Sequence, residues 1–217
     1  SGSTLNGSAA ALTVRSVANH TVTTETDAGT EGGVAVSPSV ALSMVDHDTT
    51  AVHESSGTLT VDGSASIRAE HTSTVTTKAK ATAAGESVAV GASVGIAIVD
   101  EASSAEVRTD VDAGGSAEIV AVSETTSAVQ AEASAKGNKS SEDGGRDADS
   151  EANAQAKSPN TGNSDNVGNA GSTTSDASSS SQSKSDSGSS GVGIAAAVSV
   201  NIFDVYNYAS VTNSATF

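Results

Sequence analysis

The residues best suited to chemistry in this chain are acids and histidines gathered in one short segment. Asp46, His47 and Asp48 are consecutive, and His53 and Glu54 follow within eight residues. Imidazole nitrogens and carboxylate oxygens are the ligands that zinc and similar divalent metals take. A solvated turn has the same composition. We favour that interpretation because the histidines do not recur in the related segment further along the chain.

A second candidate is a calcium site built from acids at predicted turns. Three of these acids recur in related segments, and two more lie close together downstream: Asp46, Asp100 and Asp204, with Asp110 and Asp112. Calcium binds several carboxylate and carbonyl oxygens. Neither the EF-hand spacing nor a glycine-rich nonapeptide accompanies these acids. We therefore favour plain turn chemistry, with calcium as the one cofactor that these acids could bind.

Composition argues against several other functions. The chain has no cysteine, which excludes thiol catalysis and disulfides, and its aromatic content of 2% leaves few platforms for stacking bases or sugars. A net charge of −16 repels phosphate backbones, so we predict no nucleic-acid binding. No apolar run approaches the roughly 20 residues of a membrane span, so we predict no membrane insertion. We predict no enzyme. A β-helix polysaccharide enzyme using acid pairs such as Asp110 and Asp112 is a less favoured alternative.

An internal repeat organises the chain. Three segments align without gaps, namely Gly33 to His53, Ser87 to Val107 and Gly191 to Val211, and each contains a shared aspartate. The repeat predicts one domain over 1–217 with units 1–58, 59–112 and 113–217. The third unit carries about 50 additional residues, which we place in an insertion at 137–190. That insertion is rich in Ser, Gly and Asp, so we predict a flexible loop.

Alternation of residue types predicts long β-strands. The first part of each unit alternates small or apolar residues with Thr, Lys and Glu, which is typical of a strand with one buried face and one wet face. The aligned segments alternate large aliphatic residues with Gly, Ala and Ser. They therefore predict a strand covered on both sides, with its small face close to another backbone. The apolar parity changes after each shared aspartate. We accordingly predict corners at Asp46 to Thr50, Asp100 to Ser104 and Asp204 to Tyr208.

Units of this kind cannot bury their apolar faces alone, but stacked units can. The predicted fold is an all-β, repeat-built parallel β-solenoid with long strands. An antiparallel β-sandwich of long hairpins is the alternative, because the same alternation serves both folds.

The segments VAVGASVGIAIVD and GVGIAAAVSVNIFD resemble repeats of giant bacterial surface adhesins, of the filamentous-haemagglutinin-like and leukotoxin-type filamentous kinds. In those families, similar blocks of alternating Val, Ala and Gly end in Asp or Asn. The first unit departs from the pattern with Pro38 inside the block. The resemblance implies an elongated, non-enzymatic, secreted protein of the bacterial cell surface.

We therefore expect a structural or adhesive repeat module of a long extracellular protein, acting as a stiff stalk or a weak adhesion surface. Its expected partners are neighbouring repeats of the same parent chain and a host or cell-surface glycan or protein. One alternative is a calcium-dependent ligand-binding module. A less favoured one is an ice-binding solenoid that presents the threonine tracts Thr21 to Thr26 and Thr72 to Thr77.

Overall fold

A computed structural model of the chain describes residues 9–55, 57–136, 163–168, 173–186 and 191–211. These residues form eight strands, and no helix occurs among them. The strands are β1 (Leu12–His53), β2 (Leu59–Val61), β3 (Ala65–Val107), β4 (Val111–Ala113), β5 (Ala117–Lys136), β6 (Asn163–Gly168), β7 (Thr173–Asp186) and β8 (Val192–Val211). It follows that the described part of the chain contains no helical segment with the length and hydrophobicity to cross a membrane.

Every pairing between the described strands is parallel. β1 pairs with β3 along its whole length, the first half of β3 pairs with β5, and its second half pairs with β8. The parallel solenoid is therefore confirmed, and the antiparallel sandwich is wrong. The register also stacks the sequence repeats on one another, since Asp46 lies beside Asp100 and Asp100 beside Asp204.

The long strands fold back on themselves, so that one strand contributes to two facing sheets. Ser43 Oγ donates a hydrogen bond to Thr24 Oγ1 at 2.9 Å, although 19 residues of extended chain would span roughly 60 Å. The backbone reverses near Gly32, whose φ of +152° is rare for other residue types and where the register shifts. We call residues 12–32, 65–84, β5 and β7 sheet A, and residues 34–53, 88–107, β8 and β6 sheet B.

The space between the two sheets is narrow and contains small or hydroxyl side chains. A Cβ atom added to Gly91 of sheet B would lie 2.5 Å from the carbonyl oxygen of Ser134 in sheet A. The inward face near the reversal is otherwise alanine, serine and threonine: Ala35, Ser37, Ala41, Thr77, Ala83, Ala89 and Ser93. The predicted close backbone approach on the small face of this strand is therefore confirmed.

Larger apolar side chains fill the interior away from the reversal. One cluster joins Val45, Val75, Val99 and Val129 to Phe203. A second cluster closes the end opposite the reversal, where the short parallel strands β2 and β4 form a third side. Its largest buried members are Ile67, Val61, Val107 and Val111. These clusters hold sheets A and B together and explain how a chain of low aliphatic content folds.

The outer faces of the two sheets differ in character. Sheet A is polar outside and carries ion pairs between neighbouring coils. Arg15 Nη2 lies 2.5 Å from Glu70 Oε2, and Lys78 Nζ lies 3.1 Å from Glu25 Oε1. Sheet B carries its large aliphatic residues outside, and Met44 is 72% exposed. The prediction that this strand is covered on both sides is wrong for the described residues, among which only its small face packs against another sheet.

The predicted corners after the shared aspartates are also wrong. β1, β3 and β8 each run unbroken through these positions. In β3 the buried parity continues from Ala89 through Val99 to Val107. The apolar pattern changes parity because hydrophobic residues move from the outer face to the inner face, while the backbone remains regular.

The segment predicted as a flexible loop contains two of the described strands. β7 pairs with β5 in sheet A, and β6 pairs with β8 in sheet B, so each sheet gains one further strand. The rest of the predicted loop, residues 137–162, 169–172 and 187–190, lies outside the described residues.

Candidate functional site

Three of the predicted calcium ligands form a column on the outer face of sheet B. Asp46, Asp100 and Asp204 are direct neighbours on adjacent parallel strands, which lie about 4.8 Å apart. Burial, together with the charges of Asp204, Asp46 and Asp48, raises the pKa of Asp100. Tyr206 donates a hydrogen bond to Asp204 Oδ2 at 2.6 Å. The arrangement is a ladder of like charges that a cation or a proton would relieve.

The other two predicted calcium ligands lie elsewhere. Asp110 and Asp112 follow the end of β3, and Asp112 belongs to β4. The seven extended residues from Asp100 to Val107 alone cover about 23 Å. The structure therefore brings together three of the five predicted acids and leaves the other two apart.

The segment Asp46-His47-Asp48 does not act as a unit, since side chains alternate along a strand. Asp46 and Asp48 are exposed on the outer face, and His47 points between the sheets. His53 lies six residues further along β1, about 20 Å away. The zinc grouping considered from sequence is thus divided between the two faces of the strand, and His53 lies apart along it.

A different cluster of histidines forms where sheets A and B meet. His20 comes from sheet A, His47 from sheet B of the same strand β1, and His71 from sheet A of β3. One ring nitrogen from each lies within 4.8 Å of the other two. The rings of His20 and His47 are stacked, with centroids 3.8 Å apart. His71 is buried, while His20 and His47 are half-buried in the outermost described coil.

Glu101 completes this cluster from sheet B of β3. Its side chain is fully buried, and its Oε2 lies 3.1 Å from His71 Nε2. Its Oε1 lies 3.8 Å from His47 Nδ1. Thr125 donates a hydrogen bond of 2.6 Å to Oε2. Burial opposes ionisation of Glu101, but polar contacts from His71, Ser73 and Thr125 outweigh it and lower the pKa of the carboxyl group.

The surroundings of His20 favour its neutral imidazole form. Burial, followed by the neighbouring His47 and His71, lowers the pKa of His20 against an opposing effect of Glu101. Thr49 Oγ1 lies 2.9 Å from His71 Nδ1 and fixes the orientation of that ring. We define His20, His47, His71 and Glu101 as the histidine–glutamate cluster. Sequence analysis recognised only His47 among its members as a candidate ligand.

The outer face of sheet B is a second surface feature. Five columns of aliphatic residues cross β1, β3 and β8 in register, and the members on β1 and β8 are 37–72% exposed. The exposed members are Val34, Val36, Val40, Leu42, Met44, Val192, Ile194, Val198, Val200 and Ile202. We call this surface the apolar face. An apolar surface this continuous is uncommon on a monomeric protein and is typical of an interaction site.

No family model, curated protein or solved structure matches this chain.

Proposed function

We propose that this chain is a structural and adhesive repeat module of a long extracellular bacterial protein. The observation that carries the proposal is the register, which stacks equivalent residues of successive coils directly on one another. Such stacking extends by adding coils at about 4.8 Å each, and each coil is stabilised by its neighbours. The function is mechanical, and it requires neither catalysis nor a resident cofactor.

The open side of β1 supports stacking in the parent chain. Among the described strands, β1 pairs with β3 alone. Its other side therefore offers a row of unpaired N–H and C=O groups to another coil. The net charge of −16 disfavours unspecific aggregation of many tandem units.

End-to-end stacking is tested by sedimentation velocity and negative-stain electron microscopy over a range of protein concentrations. We expect particles that lengthen with concentration at constant width, because coils add along one axis. A folded protein that stays monomeric at high concentration would contradict the proposed stacking edge.

The adhesive part of the proposal depends on the apolar face. Val198→Lys with Ile202→Lys places two charges in the columns of exposed aliphatic residues on either side of the Val200 column. Thr74→Lys with Thr126→Lys is the matched control, since both threonines are exposed on the outer face of sheet A. We expect alkyl-coated beads to retain the wild type and the control and to release the first variant. Equal retention of all three proteins would show that the apolar face is not the adhesive surface.

The aspartate column favours one alternative, a calcium-dependent ligand-binding module. Calcium would neutralise the column at Asp46, Asp100 and Asp204. A far-UV circular dichroism melt with calcium and then with chelator distinguishes the two functions. The stalk proposal expects a cooperative melt that calcium does not change. A melting temperature that rises only when calcium is present would favour the binding module.

A further inference from the structure

The histidine–glutamate cluster has the composition of a transition-metal site. Three imidazoles and one carboxylate make a common ligand set for zinc, and the Irving–Williams order also places nickel and copper among ions that prefer imidazole. In a tetrahedral zinc site with bonds of about 2.0–2.1 Å, ligand atoms lie about 3.3 Å apart. The two oxygens of Glu101 lie 3.1 Å from His71 Nε2 and 3.8 Å from His47 Nδ1, on either side of this value. The three histidine nitrogens lie within 4.8 Å of one another, so the histidines must move closer together around a bound ion.

Three polar atoms of the cluster are buried without a hydrogen bond, although both histidine nitrogens among them lie at ion-pair distance from the Glu101 carboxylate. His47 Nδ1, His71 Nε2 and Glu101 Oε1 make no hydrogen bond. The side chains of His71 and Glu101 are themselves fully buried. Buried polar atoms are rarely left in this state, because each one costs the free energy of its lost hydration. Three such atoms close together between the sheets make a place that a bound ion would satisfy.

A second shell of hydroxyl groups orients the ligands. Thr49 contacts Nδ1 of His71, which leaves Nε2 as the nitrogen that faces Glu101. Thr125 donates to Oε2 of Glu101 and holds the carboxylate in place. A partner on the far side of a ligating residue, as Thr49 is for His71, is characteristic of metal sites.

From this geometry we infer that His20, His47, His71 and Glu101 bind one divalent transition-metal ion, with zinc as the favoured occupant. The ion joins sheet A to sheet B through His20 and His47, and joins the first described coil to the second through His71 and Glu101. It therefore fastens the outermost described coil, which has β3 as its only described pairing partner. The position is absent from the third coil, where Ser123 and Val205 replace His71 and Glu101.

Zinc titration of the metal-free chain by isothermal calorimetry tests this inference. We expect one ion per chain and a thermal midpoint that rises with zinc. His20→Gln and His47→Gln alter half-buried ligands at the outer coil, so that their folding can be checked by circular dichroism without metal. Each should weaken zinc binding by at least about 100-fold. His53→Gln, which changes the remaining histidine of the chain, is the matched control and should bind like the wild type.

Thr49→Val is a second variant that leaves every ligand in place. Loss of the contact to His71 should weaken zinc binding by about 10–100-fold, the usual effect of removing a second-shell partner. Three results would overturn the inference. They are an absence of saturable zinc binding by the wild type, zinc binding by His20→Gln and His47→Gln that is as tight as that of the wild type, and loss of zinc binding in His53→Gln. The first would leave His71 and Glu101 as a buried acid–base pair only. None of these results bears on the stalk, whose tests use stacking and bead retention.

Discussion

Substitutions at two adjacent residues of β8 test which face of sheet B packs into the core. Phe203 is 5% exposed and packs with Val99 and Val129, whereas Ile202 is 54% exposed on the apolar face. Phe203→Ala removes a buried ring and leaves a cavity, which costs about 3–5 kcal/mol. In a chain of this size, 1 kcal/mol shifts the thermal midpoint by about 2–4 °C, so the midpoint should fall by about 6–20 °C.

Ile202→Ala is the matched change one residue away. It removes side-chain atoms that are already largely in water, so the free energy of unfolding should change by no more than about 0.5 kcal/mol. Both variants are compared with the wild type by circular dichroism melts at the same concentration, low enough to prevent stacking. If Ile202→Ala were as destabilising as Phe203→Ala, the apolar face would be covered in the folded chain, and our assignment of inside and outside would be wrong.

Three further changes test the interior and the aspartate column. Gly91→Ala should destabilise the fold by about 1–3 kcal/mol in a thermal melt, because its Cβ would lie 2.5 Å from the Ser134 oxygen, and Gly33→Ala, with open space around it, should have little effect. Asn201→Ala removes a side chain that is bonded to both the hydroxyl and the carbonyl of Ser127. It should cost about 1–3 kcal/mol in urea unfolding, whereas Asn19→Ala at an exposed position should cost almost nothing. Asp100→Asn should be more stable than the wild type at neutral pH. The raised pKa of Asp100 means that its charged form is the destabilised one, so this advantage should shrink as pH falls through that pKa; an advantage independent of pH would refute the repulsion.

The sequence predicted the stacking of the coils well, because stacking depends on repetition. The ungapped alignment of the three segments places Asp46, Asp100 and Asp204 at equivalent positions, and these residues are direct neighbours in the structure. Parallel pairing was the favoured prediction, but the same alternation fitted an antiparallel sandwich, and it is the pairing of the strands in the structure that decides between them. The strand alternation also predicted the polar outer face and the buried inner face of sheet A.

The sequence analysis failed where hydrophobicity does not mark the interior. In the part of sheet B nearest the reversal, the inner positions are glycine, alanine and serine, and the outer positions are mostly valine, isoleucine and leucine. The usual rule that large aliphatic residues face the core therefore predicts the wrong face for this part of the strands. What decides the orientation is the width of the space between the sheets: Gly91 and Gly95 lie against the backbone of β5 and leave no room for larger residues.

The histidine–glutamate cluster was missed because its members meet across the reversal of the long strands. The two sheets face each other, so residues at equal distances before and after a reversal become neighbours. His20 and His47 lie 13 and 14 residues from Gly33, and His71 and Glu101 each lie 15 residues from Glu86. Ligands are recognisable in a sequence when they lie within a few residues of one another or recur along a repeat, and neither pattern relates positions that are mirrored about a turn. In folds of this type, pairs of histidines and acids placed symmetrically about a glycine turn are therefore the signal by which sites between the sheets can be found.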